Sequence, residues 1–205
     1  SYSIKAAIDC REINKCYLNS DSKKYLKIGK KFGAESFLRP KRLANNTASM
    51  KSVIIHFIRT LEQKGEFYDA LILLSPTFPL RSAKELKKLI YFYKKENKKS
   101  IIGLKKPETH PYLCYKTDKN KNIKNILNIN VNNFYRRQKY PNYYELTHYF
   151  SMFPTDSIFK LNAQLYSRDT KGYFLKNDIP IINIDTKNDI ELAEFYLKKL
   201  RKNKK

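Results

Sequence analysis

Between residues 71 and 81 the chain runs Leu-Ile-Leu-Leu-Ser-Pro-Thr-Phe-Pro-Leu-Arg, four large aliphatics followed at once by a short rigid loop. The aliphatics read as a strand buried on both faces, and Ser75-Pro76 ends it because proline cannot donate to a ladder. Ser75, Thr77 and Arg81 therefore stand beyond the carboxyl end of a buried strand, where open α/β sheets bind their ligands. Ser82, with Glu85 three residues on, has capping-box spacing and starts a helix directly behind the loop. Cys10, Cys16 and Cys114 are odd in number and widely spaced, so neither a disulfide framework nor a zinc site is indicated. The cysteines read as small buried hydrophobes, and the scattered His56, His110 and His148 as packing or surface residues.

The elements that position this loop follow from periodicity. Residues 1–8 carry apolar side chains at helical spacing, a helix already under way in a chain that begins without methionine. Short strands are expected at 15–19 and 35–38, separated by a helix over 22–32 that Ser20 or Asp21 caps and Gly33 closes. A helix opened by Ser49 places Val53, Ile54, Phe57, Ile58 and Leu61 on one face and ends at Gly65. Then come the organising strand, a helix over 83–95 and a strand over 100–104. Beyond Pro107 and Pro111 the pattern becomes irregular and aromatic, with short strands at 112–116 and 123–129 and another at 143–153. A short helix after Pro154, a buried strand over 179–184 and a helix over 188–200 complete the chain. Alternation of strand and helix predicts one α/β domain over 1–205, a mainly parallel sheet with helices on both faces. Residues 107–149 form a small β-rich insertion beside it.

Composition narrows the partners. At 205 residues the chain can bury a core of its own, and 41% apolar content with 12 Phe and 16 Tyr excludes disorder. No apolar run approaches the ~20 residues of a membrane span and no signal peptide opens the chain, so a soluble, cytoplasmic protein is expected. The net charge of +23 arises from 42 basic and 19 acidic residues. The lysines lie in every segment, dense only at 119–124 and 198–205. Such spreading disfavours a nucleic-acid surface, while a small polyanion such as a nucleoside triphosphate would be drawn by the same field.

Several stretches together resemble the cytidylyltransferases that activate acidic nine-carbon sugars, the CMP-sialic acid synthetase family with its pseudaminate and legionaminate relatives. Leu73-Leu74-Ser75-Pro76-Thr77-Phe78-Pro79-Leu80-Arg81 is similar to the family's Leu-Leu-Gln-Pro-Thr-Ser-Pro-Leu-Arg. Asn19-Ser20-Asp21, Gly33-Ala34-Glu35, Phe37-Leu38-Arg39-Pro40 and Leu43–Ser49 resemble its motifs in the same order. Arg137-Gln138-Lys139-Tyr140-Pro141 and Asn183-Ile184-Asp185-Thr186-Lys187-Asn188-Asp189 follow, so that the colinear match spans nearly the whole chain.

The resemblance implies a nucleotidyltransferase, Rossmann-like fold and attack by a sugar's anomeric hydroxyl on the α-phosphorus of CTP, with release of pyrophosphate. It implies Mg2+ held by Asp185 with Asn183 as a weaker oxygen ligand, since Asn183 stands where the family has a second aspartate. The competing reading of Asp185 is a helix cap. Arg137 would meet the sugar, plausibly its carboxylate, which a guanidinium fits in bidentate fashion; one more solvated basic side chain is the alternative. Ser75, Gln138 and Thr147 would complete the acceptor side. Arg39, Asn46 and Ser49 would face base and ribose, with Pro76 and Thr77 as the floor; for Arg39 a surface ion pair competes. The family's Gly-containing phosphate loop has no counterpart here, because Gly29, Gly33, Gly65, Gly103 and Gly172 form no cluster. A chain lacking that strand and loop is expected to fold poorly and turn over little alone. The rival functions are a non-catalytic, degenerate cytidylyltransferase-like binding domain and a basic nucleic-acid-binding protein. Homodimerisation through 107–149 is expected from its aromatic content and from the family's habit.

Overall fold

Proline, glycine and short polar caps divide the chain into five α-helices and eight strands among the residues described by the computed structural model, 1–175 and 181–202. Helix α1, Tyr2–Ile8, buries Ala6 and Ala7. Strand β1, Tyr17–Ser20, leads through helix α2, Lys23–Lys31, to β2, Glu35–Leu38, which lies parallel to β1. Ser22 caps α2 by accepting from the Tyr25 amide, while Ser20 Oγ accepts from the Ser22 amide and so shapes the turn ahead of the cap. Gly33 closes the helix at φ +90°, a conformation a side chain would strain.

Ser49 caps helix α3, Met50–Gln63, whose Val53, Ile54, Phe57, Ile58 and Leu61 are buried. Strand β3, Ala70–Leu73, is followed by helix α4, Ala83–Lys95, with the full capping box of Ser82 and Glu85. Strand β4, Ile101–Lys105, precedes a hairpin of β5, Tyr115–Thr117, and β6, Ile123–Asn125. The long β7, Glu145–Pro154, then β8, Lys171–Phe174, and helix α5, Lys187–Lys202, complete the order.

The four-stranded sheet runs β3-β7-β4-β8, and β3 pairs with β7 antiparallel, Leu71 opposite Phe153 and Leu73 opposite Ser151. The sheet therefore contains an antiparallel pair, against the mainly parallel expectation. The parallel crossover through α2 survives in β1 and β2, whereas β7 returns from the insertion in the opposite sense to β3. The α/β class and the helical cover on both faces stand. Leu71 and Leu73 pack with α3, Phe153 and Ile158, while Ile72 joins the other face with α1, α4, Phe150 and Met152. All four residues of β3 are only half-buried, because among the described residues β3 pairs with β7 alone and β1 with β2 alone.

Two further expectations change. Residues 181–184 form no strand; they are held to the loop after β3 by a backbone bond, Ile184 N donating to Thr77 O at 3.0 Å. Residues 179 and 180 of that expected strand lie outside the described residues. Strand β8 was not expected, since Lys-Gly-Tyr-Phe has too short an apolar pattern to register. Of the cysteines Cys10 is buried, but Cys16 and Cys114 are half-buried.

The chain divides into two compact units, residues 1–103 with 148–205, and residues 104–147. In the second, His110, Tyr112, Phe134, Tyr140 and Tyr143 stack edge to face, and His110 Nδ1 accepts from the Tyr112 amide. In the first, the entries to β1 and β3 are tied by a polar cluster. Lys15 Nζ lies 3.0 Å from Glu66 and 3.4 Å from Glu35, and the hydroxyls of Tyr17 and Tyr68 donate to Glu66.

Candidate active site

The loop leaving β3 is built by its own side chains. Ser75 Oγ and Thr77 Oγ1 are 3.0 Å apart, and Phe78 turns inward to meet the Tyr149 ring edge-on at 5.4 Å. Leu80 packs with Ile182 and Ala193, which brings 182–185 beside Pro76 and Thr77. The loop after β3 and the segment ending in Asp185 are thus joined by the Ile184–Thr77 backbone bond.

Asp185 does not cap α5. The Asp185 and Thr186 amides and the Thr186 hydroxyl all donate to the Asp189 carboxylate, at 3.1, 2.7 and 2.8 Å, and the Asp189 amide returns a bond to Thr186 Oγ1. These donors hold the Asp189 carboxyl below its usual pKa, the Thr186 hydroxyl contributing most. Thr-x-x-Asp is a readable cap signature that the sequence reading passed over in favour of Asp185. The Asp185 carboxylate is left exposed, with Asn183 Nδ2 donating to it at 2.5 Å.

Arg39 follows β2; its amide donates to Ser20 O, and its guanidinium pairs with Asp21 at 3.6 Å. Its Nε is buried and unpartnered, as is Asn19 Oδ1 at the end of β1. The ion-pair reading of Arg39 is therefore present in the molecule, beside a donor that the pair leaves unused. Asn46 is exposed, and its neighbour Asn45 organises the turn: Asn45 Oδ1 accepts from the amides of Thr47 and Ala48 and from the Thr47 hydroxyl. Ser49 Oγ caps α3 through the Ser52 amide.

Arg137 and Gln138 lie exposed in a single 3-10 turn, Arg137–Lys139, of the second unit, and Thr147 is buried in β7. Arg81 was named only as part of the loop, yet it is buried at 6% exposure. Burial pulls its pKa below the usual value, while Tyr149 and Glu85 pull it back up. Besides the Ser75 carbonyl of its own loop, its partners come from α1 and β7, and no local pattern marks those two.

Among the described residues no three His, Cys, Asp or Glu side chains gather to hold a metal. The Asp185 carboxylate still fits one hard divalent cation, being exposed and outside the helix cap, because Mg2+ takes one or two carboxylates and completes its shell with phosphate and water. No helix among the described residues is long and apolar enough to cross a membrane.

Comparison with known proteins bears on the family and the fold. The family described as Cytidylyltransferase matches residues 1–203. The chain is 25% identical over 201 residues to post-translational flagellin modification protein B of Campylobacter coli, covering 97% of this chain and 83% of that protein. It is 25% identical over 198 residues to CMP-N,N'-diacetyllegionaminic acid synthase of Legionella pneumophila, covering 95% and 82%. Among solved structures, a CMP:2-keto-3-deoxy-manno-octonic acid synthetase complexed with CTP superposes with a TM-score of 0.66 at 10% identity, covering 97% of this chain and 86% of that one; this likeness speaks for the fold alone. The family match over nearly the whole length shows that the chain belongs to the cytidylyltransferase family, enzymes that transfer a cytidylyl group from CTP.

Proposed function

We propose that the protein transfers CMP from CTP to an acidic nonulosonate of the sialic, legionaminic or pseudaminic type. The anomeric hydroxyl oxygen forms the new bond to the α-phosphorus as the bond to the β-phosphate bridge breaks; pyrophosphate leaves, and the hydroxyl proton passes to water. The observation that carries this reading is the exposed Asp185 carboxylate, left out of the cap formed by Thr186 and Asp189 and next in sequence to Ile184, whose amide bonds the Thr77 carbonyl. Mg2+ held by Asp185, with Asn183 orienting the carboxylate, would neutralise triphosphate charge and favour attack at the α-phosphorus. Arg39 with its unused Nε, Asn46 and Ser49 are assigned to base and ribose, and Pro76 and Thr77 to the floor between the substrates. Ser75, Gln138 and Thr147 are assigned to the acceptor, and Arg137 to its carboxylate. The name of the Legionella relative and the positive charge support the substrate classes. CTP use assigns the work to the cytoplasm. Homodimerisation through the aromatic 104–147 unit is part of the proposal, checked by sedimentation before and after deletion of 107–149.

The test is pyrophosphate release from CTP and Mg2+ with a panel of nonulosonates. One acceptor is expected to stimulate release. Arg137→Lys is expected to raise that acceptor's KM by about tenfold, because the bidentate fork is lost while charge remains. CTP binding without release for any acceptor would favour the non-catalytic reading, for which Asn183 in place of a second carboxylate speaks.

A further inference from the structure

The Arg81 side chain is buried, and its fork joins three separate parts of the first unit. Nη1 donates to Ser3 Oγ on α1 at 2.7 Å and to the Ser75 carbonyl at 3.1 Å, and Nη2 donates to the Tyr149 carbonyl on β7. The guanidinium also lies over the Tyr149 ring, 4.5 Å from its centroid. The Tyr149 hydroxyl donates to Glu85 at 3.3 Å, and Glu85 in turn accepts from the Ser82 amide. Ser3 Oγ lies 3.4 Å from the Ser75 carbonyl, so two donors converge on that oxygen.

An apolar side chain would fill this space at lower desolvation cost. What a planar fork adds is the fixed position of two backbone carbonyls from different segments. One belongs to Ser75, whose hydroxyl meets Thr77 across the turn. The other belongs to β7, the strand antiparallel to β3. A shift of about 1 Å in a turn that receives a reacting group is enough to cost up to a hundredfold in rate.

We infer that Arg81 is a positioning residue for the acceptor: by clamping the Ser75 carbonyl against α1 and β7 it sets the Ser75–Thr77 turn without touching substrate. This rests on the acceptor role proposed for Ser75. Lysine cannot span both carbonyls, so Arg81→Lys keeps the charge and loses the clamp. Ser3→Ala removes one donor to Ser75 and the hydroxyl that seats Nη1, with little risk to folding.

Two measurements on the 205-residue chain test the inference. Amide exchange across 74–80 is expected to quicken by about tenfold in Arg81→Lys, and less in Ser3→Ala, while the amides of α3 keep their rates. Acceptor KM is expected to rise about tenfold and severalfold in the same order, with CTP KM within about twofold of the parent. Unchanged exchange in both variants overturns the clamp. Equal rises in the KM for CTP and acceptor, or a loss of active fraction with both KM values unchanged, overturn positioning in favour of a purely structural role. Should Arg81→Lys fail to fold, Ser3→Ala alone decides by the same two readouts. Faster loop exchange in a protein whose parent turns over no acceptor overturns the acceptor role along with the proposed function, while leaving the clamp itself intact.

Discussion

Gly29 sits in α2 where the helix crosses β1, and a Cβ built there would lie 2.5 Å from Leu18 Cδ2 and 3.1 Å from Leu18 Cβ. Gly29→Ala therefore sets two effects against each other. Removing a glycine from a helix interior stabilises by about 0.8–1.0 kcal/mol. The Leu18 Cδ2 methyl must leave its place between α2 and β1, while the Leu18 Cβ keeps a tight but bearable contact, and overpacking of this kind costs about 1–3 kcal/mol. The net expectation is a loss of about 1 kcal/mol, a fall in Tm of roughly 2–4 °C for a chain of this size. Leu18→Ala removes Cδ2 and Cγ and leaves only the 3.1 Å contact. In that background Gly29→Ala should become neutral or stabilising, so the sign of its effect changes between backgrounds. Urea unfolding followed by circular dichroism measures all four proteins. Stabilisation by Gly29→Ala in the parent background would falsify the packing argument, and equal destabilisation in both backgrounds would show that the Leu18 methyl is not the obstacle.

Asn183→Asp is expected to lower the Mg2+ concentration for half-maximal pyrophosphate release, and Asp185→Asn to raise it by tenfold or more; titration with Mg2+ reads both. Ser82→Ala removes the hydroxyl that caps α4 and is expected to cost about 1 kcal/mol in chemical denaturation. Glu66 is held from 4.5 down to about 2, chiefly by the Tyr17 hydroxyl and then by Lys15 and Tyr68. A carboxyl lowered in the folded state contributes stability that is fully present above about pH 4.5 and lost as pH falls towards 2. Glu66→Gln should flatten that part of the stability curve, as acid titrations of urea midpoints will show. Every second amide of β3 points away from β7, so hydrogen exchange should be faster in Leu71–Leu73 than in the paired centre of β7.

Local chemistry was legible wherever its partner lies within a few residues. Ser82 and Glu85, Ser49 ahead of α3, and Gly33 after α2 each declare a boundary through hydrogen bonds that close inside one turn. The alternation of strand and helix, and the ordered motifs from Asn19 to Asp189, likewise established the α/β class and the family, because both are written along one chain. Strand direction was not so written: β7 pairs antiparallel to β3 although nearly eighty residues separate them, and either sense would bury the same aliphatics. The Thr186–Asp189 cap of α5 is readable by spacing, but that the Ile184 amide ahead of it would bond the Thr77 carbonyl is not, since the two lie far apart in the chain. Arg81 makes the contrast sharpest. Its identity was plain in the loop, but its partners Ser3 and Tyr149 lie 78 and 68 positions away, and only the packing of α1 and β7 around it decides that it is a buried fork on two backbone carbonyls.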